Sequence, residues 1–101
     1  MKLVVDEFKP LQKNTLRGFC RLLLPEGLIL HDVSVHVRDG RAWASPPGKP
    51  MLSRDGVQMR DAAGKPLFAP VLSFTGKADQ VAFSTAVVDA LRRTHPEVFV
   101  S

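Results

Sequence analysis

The side chains of this sequence that could bind a transition metal are few and widely spaced. The chain contains three histidines, His31, His36 and His95, and a single cysteine, Cys20. A zinc site needs three or four ligands at suitable spacing, and these residues do not provide such a set. We therefore predict that the protein has no metal site and no cofactor.

The adjacent pair His31-Asp32 has the composition of a catalytic relay but not the spacing of one. The pair lies in a segment where polar and apolar residues alternate, and neighbouring residues of a strand point to opposite faces. We expect His31 to share a face with Val33, as a hydrogen-bonded histidine of the core or of a dimer interface. Asp32 is expected to face the other way and to pair with Arg17 or Arg21.

Other routes to catalysis find no support in the sequence. Cys20 has no base beside it that would activate a thiol, and its strand face also carries Leu16 and Leu22, which indicates a core residue. Gly76-Lys77 precedes a helical segment without the further glycines of a phosphate-binding loop. We predict that the protein is not an enzyme.

Positive charge is concentrated in the middle of the chain. The 101 residues have a formal net charge of +4. Residues 38–77 hold seven basic and three acidic residues, whereas the segments before and after them sum to +1 and −1. Such a cluster favours a polyanionic partner through phosphate contacts and counterion release. A mildly basic domain without such a partner is the alternative.

Candidate nucleic-acid contacts fall in and beside this segment. Trp43 could stack on a base, with Arg41 beside it, although burial in a core is the commoner state of a tryptophan. A turn-rich basic loop over residues 48–66 could follow a phosphate backbone, or could be a solvated loop without a partner. The candidates within this loop are Lys49, Arg54, Arg60 and Lys65.

Short strands followed by one helix must position these residues. Alternation of polar and apolar residues predicts strands over residues 2–9, 15–24, 29–38, 41–45 and 67–74. We expect Pro10 to end the first strand, and Asp39-Gly40 to form the tight turn between the third and fourth. Apolar residues at helical spacing, including Phe83, Val87 and Leu91, predict an amphipathic helix over residues 77–94.

These elements predict an α+β fold in which one C-terminal helix covers an antiparallel sheet of about five strands. The length of the chain predicts a single domain over residues 1–101. The apolar runs are too short to cross a membrane, and two acidic residues follow the N-terminus closely. We therefore expect a cytoplasmic protein without membrane contacts.

The sequence resembles the stage V sporulation protein G (septation protein) family, mainly over residues 28–61. The motifs that carry the resemblance are Leu30-His31-Asp32-Val33-Ser34-Val35, Asp39-Gly40, Trp43-Ala44-Ser45-Pro46, Arg60-Asp61 and Lys65-Pro66. The family consists of small dimeric α+β domains that bind DNA, and in some members RNA, as regulators. The segment from Met51 to Phe68 is longer here, and the C-terminal region is net acidic.

The resemblance implies that this protein is a dimeric, non-catalytic nucleic-acid-binding regulator. Arg92 and Arg93 are the residues of the C-terminal region that could take over a binding role assigned to that region in the family. The competing hypothesis is an accessory module whose basic loop docks onto an acidic partner protein. DNA and RNA remain equally open as ligands.

Overall fold

A computed structural model describes residues 2–100, and its main element is a four-stranded antiparallel sheet. The strands are β1 (Val4–Lys13), β2 (Leu16–Leu23), β3 (Ile29–Arg38) and β4 (Arg41–Ser45), in the order β1-β2-β3-β4. Asp39 and Gly40 have φ values of 51° and 77°, which is the backbone that a two-residue hairpin turn requires. The predicted turn between β3 and β4 is thus confirmed.

A single helix, α1 (Lys77–Thr94), covers one face of this sheet and completes the core. The α+β fold predicted from the sequence is confirmed, with four strands in the main sheet. Because alternate strand residues and every third or fourth helical residue are apolar, each element offers one face for burial. The buried cluster consists of Cys20, Leu22, Val33, Val35, Ala44, Phe83, Val87 and Leu91.

The helix crosses the sheet diagonally from the β4 edge to the β1 edge. Near its start, the Ala44 backbone N–H donates a 2.9 Å hydrogen bond to Ser84 Oγ. Beyond its end, the His95 ring packs 5.3 Å from the ring of Phe8 on β1, measured between centroids. A short 3-10 turn over Pro96–Phe99 follows. The first half of α1 therefore borders β4, and the end of the helix lies by β1.

Residues 48–70 form a separate unit, which we call the hairpin arm. Strands β5 (Gly48–Pro50) and β6 (Phe68–Pro70) pair as its stem, and two smaller hairpins close through the bridges Leu52–Gln58 and Arg60–Pro66. The stem and the two hairpins meet where Met51, Met59 and Leu67 exchange backbone hydrogen bonds in a closed ring of 2.7–2.9 Å. The basic loop over residues 48–66 is thus a series of tight turns joined by a short strand and two isolated β-bridges.

Two predicted strand boundaries are wrong. The fifth strand, expected over residues 67–74, is reduced to β6 and pairs within the hairpin arm, because the prolines at 66 and 70 cannot donate to a longer ladder. Strand β1 continues through Pro10 to Lys13. Pro10 is tolerated there because β1 is an edge strand, and the register shifts directly after Pro10.

A bulge at His31-Asp32 overturns the predicted faces of the first part of β3. Cys20 pairs with Val33 but Leu22 pairs with Leu30, so β3 has one residue more than β2 in this interval. Asp32 occupies this bulge with a φ of 58°. The extra residue reverses the alternation, so Leu30 packs against the core and His31 is exposed. The prediction of a core-facing His31 is therefore wrong.

Candidate nucleic-acid interface

The sheet face opposite α1, here called the outer face, carries the aromatic and basic side chains of β3 and β4. With Val33 and Val35 in the core, the residues at 34, 36 and 38 point to the outer face. The two-residue turn fixes the cross-strand pairs Ser34–Ser45, His36–Trp43 and Arg38–Arg41. Trp43 and Arg41 are thus next to each other on this face, which is the arrangement expected of a stacking residue with a cation beside it.

His36 and Trp43 form an ordered stack on the outer face. Their ring centroids are 5.3 Å apart and their planes differ by 8°. The imidazole is held from both ends, with Thr15 Oγ1 at 3.1 Å from Nδ1 and Ser34 Oγ at 3.0 Å from Nε2. His36 lies on β3, so the imidazole stacks on the side of the indole that faces β3, and β4 is an edge strand of the sheet. Trp43 lies outside the buried core cluster.

The environment of His36 favours the uncharged imidazole. Partial burial lowers the pKa of His36 below its ordinary value of 6.5, and the positive charge of Arg17 lowers it further. Arg17 is held near the stack because its guanidinium donates to the carbonyl oxygens of Asn14, at 2.8 Å, and Leu16, at 3.1 Å. His36 therefore presents a neutral ring to Trp43 at neutral pH.

Arg38 and Arg41 face each other across the turn end of the β3–β4 hairpin. Like charges at directly opposed positions destabilise a sheet unless an anion lies between them. Asp39 supplies one carboxylate, 3.8 Å from Arg38 Nε, but both side chains of that pair are mostly exposed, at 72% and 90%. Solvent therefore screens this contact, and the two arginines remain available to a stronger anion.

An open groove runs between the edge of β4 and the first half of α1, and we call it the edge groove. Its volume is about 510 Å³. The lining residues are Arg41, Ala42, Trp43, Ala44, Ser45, Lys77, Gln80, Val81, Ser84 and Thr85. This set contains two cations, one aromatic ring and one side-chain amide, and no carboxylate. Chemically it matches an anion that also carries a flat ring.

The hairpin arm distributes the four loop candidates over its three hairpins. Lys49 lies on the stem, Arg54 at the tip of the hairpin closed by Leu52–Gln58, and Arg60 and Lys65 on the remaining hairpin. Arg60 donates a 2.9 Å hydrogen bond to the Gly64 carbonyl, so part of its donor capacity maintains the hairpin. The structure therefore places all four on one arm, with Arg60 and Lys65 closest in register.

Arg92 and Arg93 lie apart from the other candidates. They occupy the last turn of α1, at the β1 edge, about 22 Å along the helix axis from Lys77. Arg92 stacks over the Phe99 ring at 4.6 Å and thereby helps to hold the C-terminal 3-10 turn. The structure does not bring these two arginines together with Arg41, Trp43 or the hairpin arm.

The predicted partners of Asp32 are engaged elsewhere. Arg21 Nε donates a 2.7 Å hydrogen bond to Asp6 Oδ2, and Arg21 also lies 3.9 Å from Glu7. This hydrogen bond with Asp6 raises the pKa of Arg21, whereas the guanidinium of Arg17 donates to backbone carbonyls. The predicted pairing of Asp32 with either arginine is therefore wrong, because the bulge turns Asp32 away from the regular ladder.

Cys20 lies in the core, as its strand face predicts. Burial raises the pKa of the Cys20 thiol to about 11, so the reactive thiolate is scarce at neutral pH. Among residues 2–100, no group of three histidine, cysteine, aspartate or glutamate side chains is arranged to hold a metal ion. No helix within that range has the length and apolarity needed to span a membrane.

Comparisons with protein-family models, curated proteins and solved structures give no significant match to this chain. The resemblance noted above therefore rests on its sequence motifs alone.

Sequence reasoning missed four residues of this region: His36 as a stacking partner, Arg38, Lys77 and Gln80. The sequence does contain a signal for His36 and Arg38. In a hairpin with a two-residue turn at Asp39-Gly40, the residue numbers of directly opposed partners sum to 79. This sum pairs His36 with Trp43 and Arg38 with Arg41. No comparable signal exists for Lys77 and Gln80, because their place beside β4 depends on how α1 crosses the sheet.

Proposed function

We propose that this protein is a small, non-catalytic nucleic-acid-binding protein that acts as a regulator. The observation that carries the proposal is the juxtaposition of Arg38 and Arg41 beside the exposed end of the His36–Trp43 stack. Opposed arginines favour a bound polyanion, and an aromatic ring beside them favours bases over other polyanions.

The hairpin arm supports the same proposal by extending the basic surface. Lys49 and Lys65 are exposed, and Arg54 is exposed at a hairpin tip. The arm begins just after Ser45, at the end of β4 away from Arg41, and its stem borders Phe19 and Asp32. The arm and the Arg38–Arg41 pair are thus two separate basic regions, which contact phosphates at different places along one strand or duplex.

We further propose that the protein acts as a homodimer. On the outer face, at the end away from the arginines, Val4 pairs with Leu23 and Leu23 pairs with Ile29. These three apolar side chains are exposed, at 59%, 37% and 54%. A second copy that covers this row would bury it without occupying the basic end. In sedimentation equilibrium, Ile29→Lys is then expected to give the monomer mass where the parent gives the dimer mass.

Fluorescence anisotropy of labelled oligonucleotides at several salt concentrations tests the binding proposal. If about four phosphates are contacted, a plot of log affinity against log salt concentration has a slope of about −3 to −4. A folded protein that binds neither single-stranded nor double-stranded oligonucleotides at low salt contradicts the proposal. That outcome favours the accessory module that docks an acidic protein.

Charge reversal on the arm tests which residues contact phosphate. The variant Lys49→Glu/Arg54→Glu/Lys65→Glu spares the Arg60 hydrogen bond, and we expect it to bind weakly and with a shallower salt slope. The matched control Lys2→Glu/Lys9→Glu/Lys13→Glu changes the net charge equally, but at and before β1. Equal losses in the two variants would show that only net charge matters and that the arm is not a contact surface.

A further inference from the structure

We propose that the edge groove is a nucleotide-binding site for single-stranded nucleic acid. An unpaired base stacks on the open side of Trp43, and its phosphate lies between Arg41 and Lys77. The inference rests on the nucleic-acid binding proposed above and adds the form of the ligand and the place where a base is held.

The position of Trp43 allows stacking on one side only. His36 lies against the indole at an interplanar angle of 8°, so the imidazole has already taken the side toward β3. Trp43 is also one of the residues that line the edge groove, whose far wall is α1. An indole fixed by a neighbour on one side loses little further freedom when a base covers the other.

The size and charge of the edge groove match one nucleotide. Its volume of about 510 Å³ lies within the range of about 300–1,000 Å³ that is usual for small-ligand pockets. Arg41 and Lys77 stand on opposite walls, one on β4 and one on α1. Gln80, one helical turn after Lys77, offers an amide donor and acceptor for the edge of a base. The lining residues include no acidic side chain that would repel a phosphate.

Occupation of this edge by an added peptide strand is disfavoured by the contacts of α1. The Ala44 N–H would have to pair with an incoming strand, but it already donates to Ser84 Oγ at 2.9 Å. The helix thus protects the β4 edge, because a covered edge strand cannot readily pair with another chain. A nucleotide needs only the side chains of the groove and leaves this hydrogen bond intact.

Duplexes do not satisfy the geometry of Trp43. Bases within a duplex are covered on both sides by their neighbours, whereas an unpaired strand offers exposed ring faces to an aromatic side chain. Duplex binding by the hairpin arm therefore proceeds without contact to Trp43. The two substrates are distinguished by whether the indole is involved.

Intrinsic fluorescence tests the inference directly, because Trp43 is the only tryptophan and the chain has no tyrosine. We expect a single strand of about 12 deoxythymidines, within the usual site sizes, to quench the emission of Trp43 on binding. A duplex of the same length is expected to raise the anisotropy of its label without this quenching. Quenching of equal depth by the duplex would contradict the preference for unpaired bases.

Variants separate stacking from charge. Trp43→Val keeps a β-forming apolar residue but removes the ring, and should weaken single-strand binding about 5- to 150-fold while duplex binding stays within twofold. Lys77→Gln should weaken single-strand binding and lower its salt slope by about 0.7. Because Lys77 is an exposed helix residue, this variant tests the site even if Trp43→Val does not fold.

The charge-matched control is Lys9→Gln on β1, three strands away from the groove. It should lose less affinity than Lys77→Gln, and equal losses would overturn the groove assignment. Binding seen by anisotropy with unchanged Trp43 emission would also overturn it, but would leave the proposed function intact. The absence of binding to either oligonucleotide by the parent protein would contradict both proposals.

Discussion

The sheet and helix on one side, and the hairpin arm on the other, are stabilised in different ways. The sheet–helix body has a dry core in which Leu22, Val33, Val35, Val87 and Leu91 are fully buried. No residue of the hairpin arm is buried, and only three of its side chains are partly buried. The body therefore depends on removal of apolar surface from water, and the arm on backbone hydrogen bonds and turns.

The ring of hydrogen bonds among Met51, Met59 and Leu67 shows how an arm without a core keeps a defined shape. Each of the three residues donates to one member of the ring and accepts from the other. A side chain tightens each of the two tips. Ser53 Oγ accepts from the Val57 N–H at 3.2 Å, and Asp61 Oδ1 accepts from the N–H groups of Ala63 and Lys65 at 2.9 and 3.0 Å. Exposed hydrogen bonds add little net stability each, so the arm opens more readily than the body.

This difference in stability fits the division of labour proposed for the two regions. A stacked base needs Trp43 to be held in one position, and the body supplies this rigidity through β3 and α1. Phosphates along a flexible strand are spaced less regularly. An arm that opens easily can adjust Lys49, Arg54 and Lys65 to them at low cost in free energy.

Hydrogen exchange should show the largest contrast between the two regions. The amide of Val35, on a central strand of the body, is expected to exchange at least about 100-fold more slowly than that of Leu67, which donates within the arm ring. Amide-resolved exchange measured by NMR checks this. The buried Cys20 thiol should likewise react slowly with a labelling reagent, because it becomes accessible only when the body opens. Comparable exchange rates for the Val35 and Leu67 amides would show that the protein opens as one unit.

Truncation of a core leucine should have the next largest effect. Leu22→Ala removes a fully buried side chain and should lower the free energy of unfolding by about 2–5 kcal/mol. The matched change on the arm, Leu52→Ala, affects a side chain that is 58% exposed and should stay within about 0.5 kcal/mol. Urea denaturation followed by circular dichroism gives both values, and similar losses would place part of the core in the arm.

Glycine substitutions extend the comparison to the backbone. A Cβ at Gly18 would lie 2.5 Å from the Lys9 carbonyl oxygen, so Gly18→Ala should cost about 1–3 kcal/mol of global stability. At Gly64, where φ is 82° and no atom lies within 4 Å of a Cβ, the cost is backbone strain of about 1–2 kcal/mol.

The Gly64→Ala strain should appear in the arm alone. We expect faster exchange of the arm amides in this variant, including that of Leu67, and an unchanged midpoint of urea denaturation. A shift of that midpoint equal to the shift caused by Gly18→Ala would mean that the arm and the body unfold together.

The sequence was a better guide to the body than to the arm. Three local signals predict the body. The strands and the helix each bury one face, which gives a period of apolar residues such as Phe83, Val87 and Leu91, and Asp39-Gly40 is typical of a tight turn. The bulge at Asp32 escaped this reasoning, because alternation alone does not reveal an inserted residue. The arm buries no face, so its strands leave no hydrophobic period, and the sequence predicts only a turn-rich loop there.

Candidate site residues follow the same division. The β4 residues Arg41 and Trp43 could be placed from the hairpin register, whereas the partnership of Lys77 with them required the path of α1. The contribution of Arg60 to its own hairpin could not be foreseen, because it depends on the position of the Gly64 carbonyl.

Acidification should produce the smallest effect, and one confined to the body. Since partial burial and the charge of Arg17 lower the pKa of His36, the unfolded chain binds a proton more readily than the folded one below the ordinary value of 6.5. This contribution to stability is complete above pH 6.5 and is lost as the pH falls through the lowered pKa. The free energy of unfolding should therefore decline over that range, and His36→Gln should make the decline shallower.

The arm contains no histidine, so the protection of the Leu67 amide, corrected for intrinsic exchange rates, should stay constant over the same range. An equal decline in parent and variant would show that other groups, and not His36, cause the pH dependence of the free energy of unfolding.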